Sequence, residues 1–181
     1  MSERGKIIIL LGASGAGKTT IIDKLKENDK IYVPTYYTTR EKRKGEIDGK
    51  TYNYVSNDKF AELMKNMETS YECHGYMYGL PNEIRKEYFD GKKVVLGLSR
   101  KKIPEIKEKF KRVQVIYLNV NICNIEKRLI LRGRECEDEI KKRIEKAKEL
   151  EKWAFDANDV DCIIDNNNDL EETITNLLDV I

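Results

Sequence analysis

A chain of 181 residues is long enough for one domain with a full hydrophobic core. Its 36% charged and 40% hydrophobic residues predict a soluble globular protein in the cytoplasm, because neither a signal peptide nor a membrane-spanning run is visible. A net charge of only +2 disfavours a nucleic-acid partner, and the four well-separated cysteines lack the spacing of a zinc site or a disulfide framework.

Short apolar runs alternate with helical patterns along the chain. The runs that predict buried strands are Ile7–Leu11, Val94–Leu98, Val113–Leu118 and Cys162–Ile164. Strands separated by helices favour a parallel sheet with crossover helices. The expected fold is therefore an α/β domain with three layers.

A different pattern lies between the first two of these runs. Three shorter, aromatic-rich segments joined by polar turns predict strands at Tyr32–Thr39, Thr51–Val55 and Tyr76–Gly79. We interpret residues 33–92 as a small subdomain inserted into a core of residues 1–32 and 93–181.

Apolar residues at helical spacing predict three helices. One follows the start signal Ser56-Asn57-Asp58 and carries the stripe Phe60, Leu63, Met64 and Met67. The other two carry the stripes Ile140, Ile144, Ala147 and Ala154, and Leu170, Ile174, Leu177, Leu178 and Ile181. The asparagine-rich run 165–169 predicts a turn that caps the last helix.

A glycine-rich segment directly follows the first strand. It reads Gly12, Ala13, Ser14, Gly15, Ala16, Gly17, Lys18, Thr19 and Thr20. Its pattern of Gly, four residues and Gly-Lys-Thr is that of a phosphate-binding loop, in which backbone N–H groups and a helix N-terminus surround a phosphate chain. We predict that Lys18 contacts the β- and γ-phosphates of ATP and that Thr19 binds Mg²⁺. The alternative is a strand-to-helix turn without a ligand.

A second group of candidate anion ligands lies in the insert. Arg40 and Arg43 can each form bidentate bonds to a phosphate, and Tyr52 and Tyr78 can add hydroxyl donors. A solvated loop is the alternative. After a phosphate loop, however, a second anion site is what a kinase with a phosphorylated acceptor requires.

A third group of cations follows at Arg128, Arg132 and Arg143. Glu137, Asp138 and Glu139 are interspersed with them, so a solvated corner between two helices is the alternative to a role in catalysis.

These motifs resemble the guanylate kinase family of P-loop nucleoside monophosphate kinases over nearly the whole chain. The stretch that carries the resemblance is Thr38-Thr39-Arg40-x-x-Arg43-x-Gly45-Glu46-x-x-Gly49-x-x-Tyr52-x-x-Val55-Ser56. The resemblance implies a GMP acceptor whose phosphate is held by Arg40, Arg43, Tyr52 and Tyr78. It also implies a mobile lid at about residues 132–141, with Arg132 and Arg143 as catalytic residues beside Lys18. ATP and Mg²⁺ are the expected cofactors, and the expected assembly is a monomer or homodimer with no membrane partner.

The chain departs from the family where guanine is read. The family usually has Ser at Tyr36, Ser or Thr at Leu80 and a base-binding Glu near Thr69. Of the two nearby carboxylates, Glu68 and Glu72, we predict Glu72 as the base contact. Two aspartates of the family are also replaced, by Gly97 and Ser99.

The segment Gly97-Leu98-Ser99-Arg100 resembles a related group instead, the ribose 1,5-bisphosphate phosphokinases, as do Ile103-Pro104 and Arg132-Gly133-Arg134-Glu135. Under this alternative Ser99 and Arg100 contact the acceptor. A second alternative is a guanylate-kinase-like interaction module without catalysis, which the complete phosphate loop disfavours. We predict that the single histidine, His74, is structural. Trp153 and the pair Tyr36-Tyr37 either pack the core or form the floor of a base pocket.

Overall fold

The structure is a computed structural model, and it describes residues 5–73, 75–133 and 136–181. The strands are β1 (Lys6–Leu11), β2 (Ile31–Tyr32), β3 (Tyr37–Thr38), β4 (Asn53–Tyr54), β5 (Met67–Cys73), β6 (Tyr76–Pro81), β7 (Lys93–Leu96), β8 (Val113–Asn119) and β9 (Cys162–Asp165). The helices are α1 (Lys18–Leu25), α2 (Asn57–Leu63), α3 (Ile84–Phe89), α4 (Ile103–Lys109), α5 (Ile122–Arg132), α6 (Glu137–Asp156) and α7 (Leu170–Val180). The predictions for His74, Arg134 and Glu135 fall outside the described residues.

The core sheet has five parallel strands in the order β2-β7-β1-β8-β9. Strand β1 lies in its centre and is apolar from Ile7 to Leu11 because both of its faces are covered. Ile7 and Ile9 pack in a cluster with residues of α3, α4 and α6. Ile8 and Leu10 pack on the opposite face with residues of α1 and α7. The expected α/β fold with three layers is therefore confirmed.

The insert forms a second sheet of four strands, in the order β4-β3-β6-β5. Strands β3 and β4 are parallel, whereas β6 pairs antiparallel with both β3 and β5. The predicted strand Tyr32–Thr39 was wrong as a single element, because Ile31–Tyr32 joins the edge of the core sheet and Tyr37–Thr38 joins the insert. Helix α3 lies within residues 33–92 but packs on the core, where Ile84 and Tyr88 contact its cluster.

The helix predicted from the stripe Phe60 to Met67 is shorter than expected. Helix α2 stops at Leu63, a 3₁₀ turn follows, and Met67 begins strand β5. The hydrogen bonds that β5 gains by pairing with β6 outweigh continuation of the helix, because this pairing extends from Met67 to Cys73. In the last helix Leu177 is buried as predicted, but Leu178 is exposed.

Candidate active site

The phosphate loop connects β1 in the centre of the sheet to helix α1, so its backbone lies at the carboxyl edge of the sheet, where α/β proteins bind ligands. Gly15 and Gly17 have φ values of 88° and 87°, a conformation that favours glycine. A Cβ atom on Gly17 would also lie only 2.9 Å from the Nδ2 atom of Asn166. The glycine at this position is therefore required both by the backbone conformation and by a close neighbour.

Lys18 folds back over the loop that precedes it. Its Nζ donates hydrogen bonds to the carbonyl oxygens of Gly12 and Ala13, the second at 2.9 Å. Burial lowers the pKa of this ammonium group to about 8. Thr19 follows in the first turn of α1 with its side chain exposed. Lys18 is thus held against the loop in the position from which it would meet a phosphate group.

A buried asparagine supports the loop from behind. Asn166 follows β9 and is only 4% exposed. Its Nδ2 donates to the Ala16 carbonyl at 2.7 Å, and its Oδ1 accepts from the Thr173 hydroxyl at 3.0 Å. The sequence predicted only a capping turn here. A signal was nevertheless present, since an asparagine that directly follows the last strand of a parallel sheet lies at the same edge as the loop.

Three arginines approach the loop from helices α5 and α6. Arg143 donates to the Ser14 hydroxyl at 2.7 Å. Arg128 donates to the carbonyl oxygen of Asn166 at 3.0 Å and to that of Gly15 at 3.4 Å. Arg132 is the last residue of α5 and lines the cleft in front of the loop. The structure therefore brings Arg128 and Arg143 into contact with the phosphate loop and places Arg132 in the lining of the adjoining cleft.

The second anion site is built around a buried ion pair. Arg40, which is 6% exposed, donates from Nη2 to both oxygens of Glu46 at 2.8 and 3.1 Å. The Glu46 carboxylate also accepts from the Tyr54 hydroxyl at 2.7 Å and from the Arg43 backbone N–H at 2.8 Å. Burial alone would raise the pKa of Glu46, but these hydrogen bonds lower it to about 2. Arg40 is thereby fixed in one orientation and keeps its charge.

Tyrosine rings surround this ion pair. The Arg40 guanidinium lies 5.4 Å from the ring centroid of Tyr52 and 5.8 Å from that of Tyr54. Tyr52 meets Tyr78 edge-on, and Tyr78 stacks on Tyr71 with centroids 5.6 Å apart. These contacts place the phenols of Tyr52 and Tyr78 beside the guanidinium, as the sequence predicted for an acceptor-phosphate site.

One cleft of about 980 Å³ joins the two anion sites. The phosphate loop and the start of α1 line it together with Arg40, Arg43, Tyr52 and Tyr78 of the insert. Its lining holds six basic residues, Lys18, Arg40, Arg43, Lys44, Arg128 and Arg132, but only two acidic ones, Asp23 and Glu46. A chain that is nearly neutral overall therefore concentrates positive charge where two phosphorylated ligands can meet.

Three predicted acceptor contacts do not line this cleft. Glu72 is exposed on β5, one residue from Tyr71, which faces the opposite side of the strand and packs against the core. The Ser99 hydroxyl accepts a hydrogen bond from the backbone N–H of Lys101. Arg100 lies over the ring of Trp153, 5.2 Å from its centroid.

Glu68, the other carboxylate considered for the base, is part of a buried ion-pair network. Arg85 donates two hydrogen bonds to it at 2.6 and 2.8 Å, and Lys109 lies 3.3 Å away. The neighbouring Thr69 donates its hydroxyl to Glu105 at 2.9 Å. This network joins β5 of the insert to α4 of the core and holds the Glu68 carboxylate in ion pairs with Arg85 and Lys109.

A phosphate loop and a second, arginine-lined anion site that share one cleft define a P-loop phosphotransferase whose acceptor carries a phosphate. The guanylate kinase family model matches residues 4–181. The guanylate kinase of a Nostoc species is 34% identical over 175 residues, which covers 94% of this chain and 86% of that relative. The guanylate kinase of Histophilus somni is 39% identical over 155 residues, or 80% of this chain and 73% of the relative.

The fold comparison agrees with the sequence comparison. A crystal structure of guanylate kinase from Anaplasma phagocytophilum matches with a TM-score of 0.77, covering 98% of this chain and 84% of that one at 24% identity. The chain belongs to the guanylate kinase family. The expected enzyme class, a nucleoside monophosphate kinase, is thereby confirmed.

Two further findings concern metal ions and membranes. No group of three or more His, Cys, Asp or Glu side chains that could hold a metal ion occurs among the described residues. Within the same residues, no helix combines the length and the apolar character that crossing a bilayer requires.

Proposed function

We propose that this protein transfers the γ-phosphoryl group of ATP to the phosphate of GMP, giving GDP and ADP. The observation that carries the proposal is the shared cleft, which is lined both by Lys18 of the phosphate loop and by Arg40 and Arg43 of the insert. Such a site can bind two phosphates end to end, which is the geometry that phosphoryl transfer between nucleotides needs.

In this proposal the residues of the chain act by positioning and by neutralising charge. The loop backbone and Lys18 bind the donor phosphates. Arg40 and Arg43, together with Tyr52 and Tyr78, orient the acceptor phosphate, whose oxygen is already ionised and needs no strong base. Arg132 and Arg143 approach the transferred group and stabilise the charge that develops on it.

Thr19 fits a role in holding Mg²⁺. Its hydroxyl is exposed in the first turn of α1, directly after Lys18. Mg²⁺ commonly takes few protein ligands and completes its coordination with phosphate oxygens and water, so one hydroxyl is an appropriate protein contribution. When bound, the ion neutralises charge on the β- and γ-phosphates.

We further propose that the insert of residues 33–92 and a lid at about residues 132–141 close over the core when both substrates bind. Arg143, on helix α6 just after this segment, contacts the phosphate loop through Ser14, which supports a lid that folds onto the donor. The low net charge supports an enzyme without a nucleic-acid partner, and the cysteine spacing supports a cytoplasmic one; a monomer or homodimer without a membrane partner completes the proposal.

The test is ADP release from ATP with GMP, dGMP, AMP, UMP or ribose 1,5-bisphosphate as acceptor, with a control that lacks acceptor. We expect stimulation by GMP. Stimulation by the sugar bisphosphate alone would refute the nucleotide acceptor, and no stimulation by any of them would favour an interaction module.

A variant of the acceptor site distinguishes the two anion sites of the cleft. Arg43→Ala removes an exposed guanidinium from the acceptor side only. We expect a raised KM for GMP and a lower kcat, with the Kd for ATP unchanged. A defect confined to ATP would show that the two anion sites are misassigned.

A further inference from the structure

A second, smaller cavity adjoins the cleft that joins the two anion sites. It has a volume of about 160 Å³ and lies between the start of the phosphate loop and helix α6. Ala13 and Ser14 line both the cavity and the cleft, so the two spaces meet at the loop. The other described lining residues are Gly12 of the loop and Arg143, Lys146, Ala147 and Leu150 of α6.

The residues that α6 contributes to this cavity share one face of the helix. Arg143, Lys146, Ala147 and Leu150 have the spacing i, i+3, i+4 and i+7, at which side chains are neighbours on a helix surface. Ala147 is 1% exposed and packs in one cluster with Ala13 of the loop. This contact holds α6 against the loop and thereby fixes the place of Lys146 at the wall of the cavity.

The two cations of the cavity differ in their contacts. Arg143 donates a hydrogen bond to the Ser14 hydroxyl at 2.7 Å. The Lys146 side chain has no hydrogen bond or ion pair with any described residue, and Glu145, its neighbour in sequence, is paired with Lys148 at 2.9 Å. None of the described lining residues is acidic. The cavity therefore carries positive charge that no carboxylate in its lining offsets, which favours an anionic ligand.

The position of Lys18 indicates which phosphate lies nearest to the cavity. Its Nζ is bound to the carbonyl oxygens of Gly12 and Ala13, which are lining residues of the cavity. The lysine of a phosphate loop contacts the β- and γ-phosphates, so the cavity lies at the end of the phosphate chain that is transferred. All of the described lining residues belong to the loop or to α6, and this favours the donor phosphate over the acceptor phosphate.

We propose that Lys146 is a further catalytic residue, which binds the γ-phosphoryl group of ATP beside Arg143. This inference rests on the proposed function and deepens it. During transfer, an oxygen of the acceptor phosphate bonds to the γ-phosphorus, and the bond from that phosphorus to the β–γ bridging oxygen breaks, leaving its electron pair on ADP. Lys146 keeps its proton throughout and neutralises charge on the peripheral oxygens of the transferred group.

The experiment compares Lys146→Met with the unaltered protein. Calorimetry with Mg²⁺ and no acceptor gives the Kd for the β,γ-imido analogue of ATP and for ADP, which lacks the γ-phosphate. We expect the Kd of the analogue to rise about tenfold and that of ADP to stay unchanged, because one charge-assisted hydrogen bond to the γ-phosphate is lost. With GMP as acceptor, kcat should fall about tenfold or more. Lys146→Arg, which keeps the charge, should restore most of both.

The matched control is Lys142→Met, which removes another exposed lysine of α6 that does not line the cavity. It should leave both Kd values and kcat unchanged, and the Tm of the two methionine variants should be equal, because neither lysine side chain has a partner among the described residues. Equal losses of affinity for the analogue and for ADP would assign Lys146 a structural or general electrostatic role and overturn the proposal. An unchanged Kd for the analogue would overturn it as well.

Failure of the proposed function is distinguishable from failure of this inference. If no acceptor stimulates ADP release by the unaltered protein, the proposed acceptor is refuted, but the difference between the two Kd values still decides whether Lys146 contacts the γ-phosphate. If the unaltered protein binds neither nucleotide, both are refuted.

Discussion

The hydrogen bond from Asn166 to the phosphate loop allows a quantitative prediction. Asn166→Ala removes the donor to the Ala16 carbonyl, and Ala16 has no solvent exposure. Thr173 loses its bond to the asparagine but retains the Asp169 carbonyl as an acceptor at 3.0 Å. The substitution therefore leaves one buried carbonyl without its side-chain partner, and one such group costs about 1–3 kcal/mol.

A loss of about 2 kcal/mol in the free energy of unfolding lowers Tm by about 4–8 °C in a domain of this size. Urea unfolding and thermal unfolding measure the two quantities independently. Asn168→Ala is the matched control, since it changes the same residue type in the same loop at an exposed position. If Asn166→Ala were no more destabilising than this control, the loop would not depend on the asparagine.

Three further predictions concern charged groups of the site. Lys18→Ala should lower kcat at least about a hundredfold while the circular dichroism spectrum stays unchanged, because the backbone loop remains; near-normal turnover would refute the phosphate-loop mechanism. Because the pKa of Lys18 is about 8 in the free protein and bound phosphate raises it, the Kd for ATP measured by calorimetry should increase above pH 8, and Lys18→Arg, which stays charged, should abolish this slope. The pKa of Glu46 is about 2 in the folded protein and 4.5 in the unfolded chain. The ionised carboxylate therefore contributes its full stabilisation above pH 5, and this contribution is lost as the pH falls toward 2. Glu46→Gln should therefore cost about 2 kcal/mol at pH 7 and flatten this acid dependence, whereas Glu108→Gln, at an exposed position, should do neither.

The features that the sequence predicted well depend on local patterns. The phosphate loop is read from nine consecutive residues, and the central strands are continuous apolar runs because both of their faces are covered. Strand β5 escaped prediction because Met67 continues the helical spacing of α2, and only pairing with the later strand β6 reveals the change.

The residues of the proposed acceptor site also show that contacts between distant segments cannot be predicted from local patterns. Arg40 and Arg43 were identified from a specific motif, but Glu72 was proposed as a base contact without knowledge of the strand register. Since successive side chains on a strand point to opposite faces, the inward position of Tyr71 sends Glu72 outward. For Tyr36 the sequence left open whether it packs the core or forms the floor of a base pocket, because its burial depends on contacts between insert and core.

The pairing of Arg40 with Glu46 has a consequence for the rate at which product leaves the site. The Glu46 carboxylate offsets the charge of Arg40, so a phosphate at the proposed acceptor site would meet less positive charge than two uncompensated guanidinium groups would present. Under the proposed function, such a site would orient the phosphate through the geometry of its hydrogen bonds and attract it only moderately. An enzyme that must release a nucleotide product after every cycle gains speed from such moderate attraction, because tight binding of the acceptor's phosphate would equally retain the product.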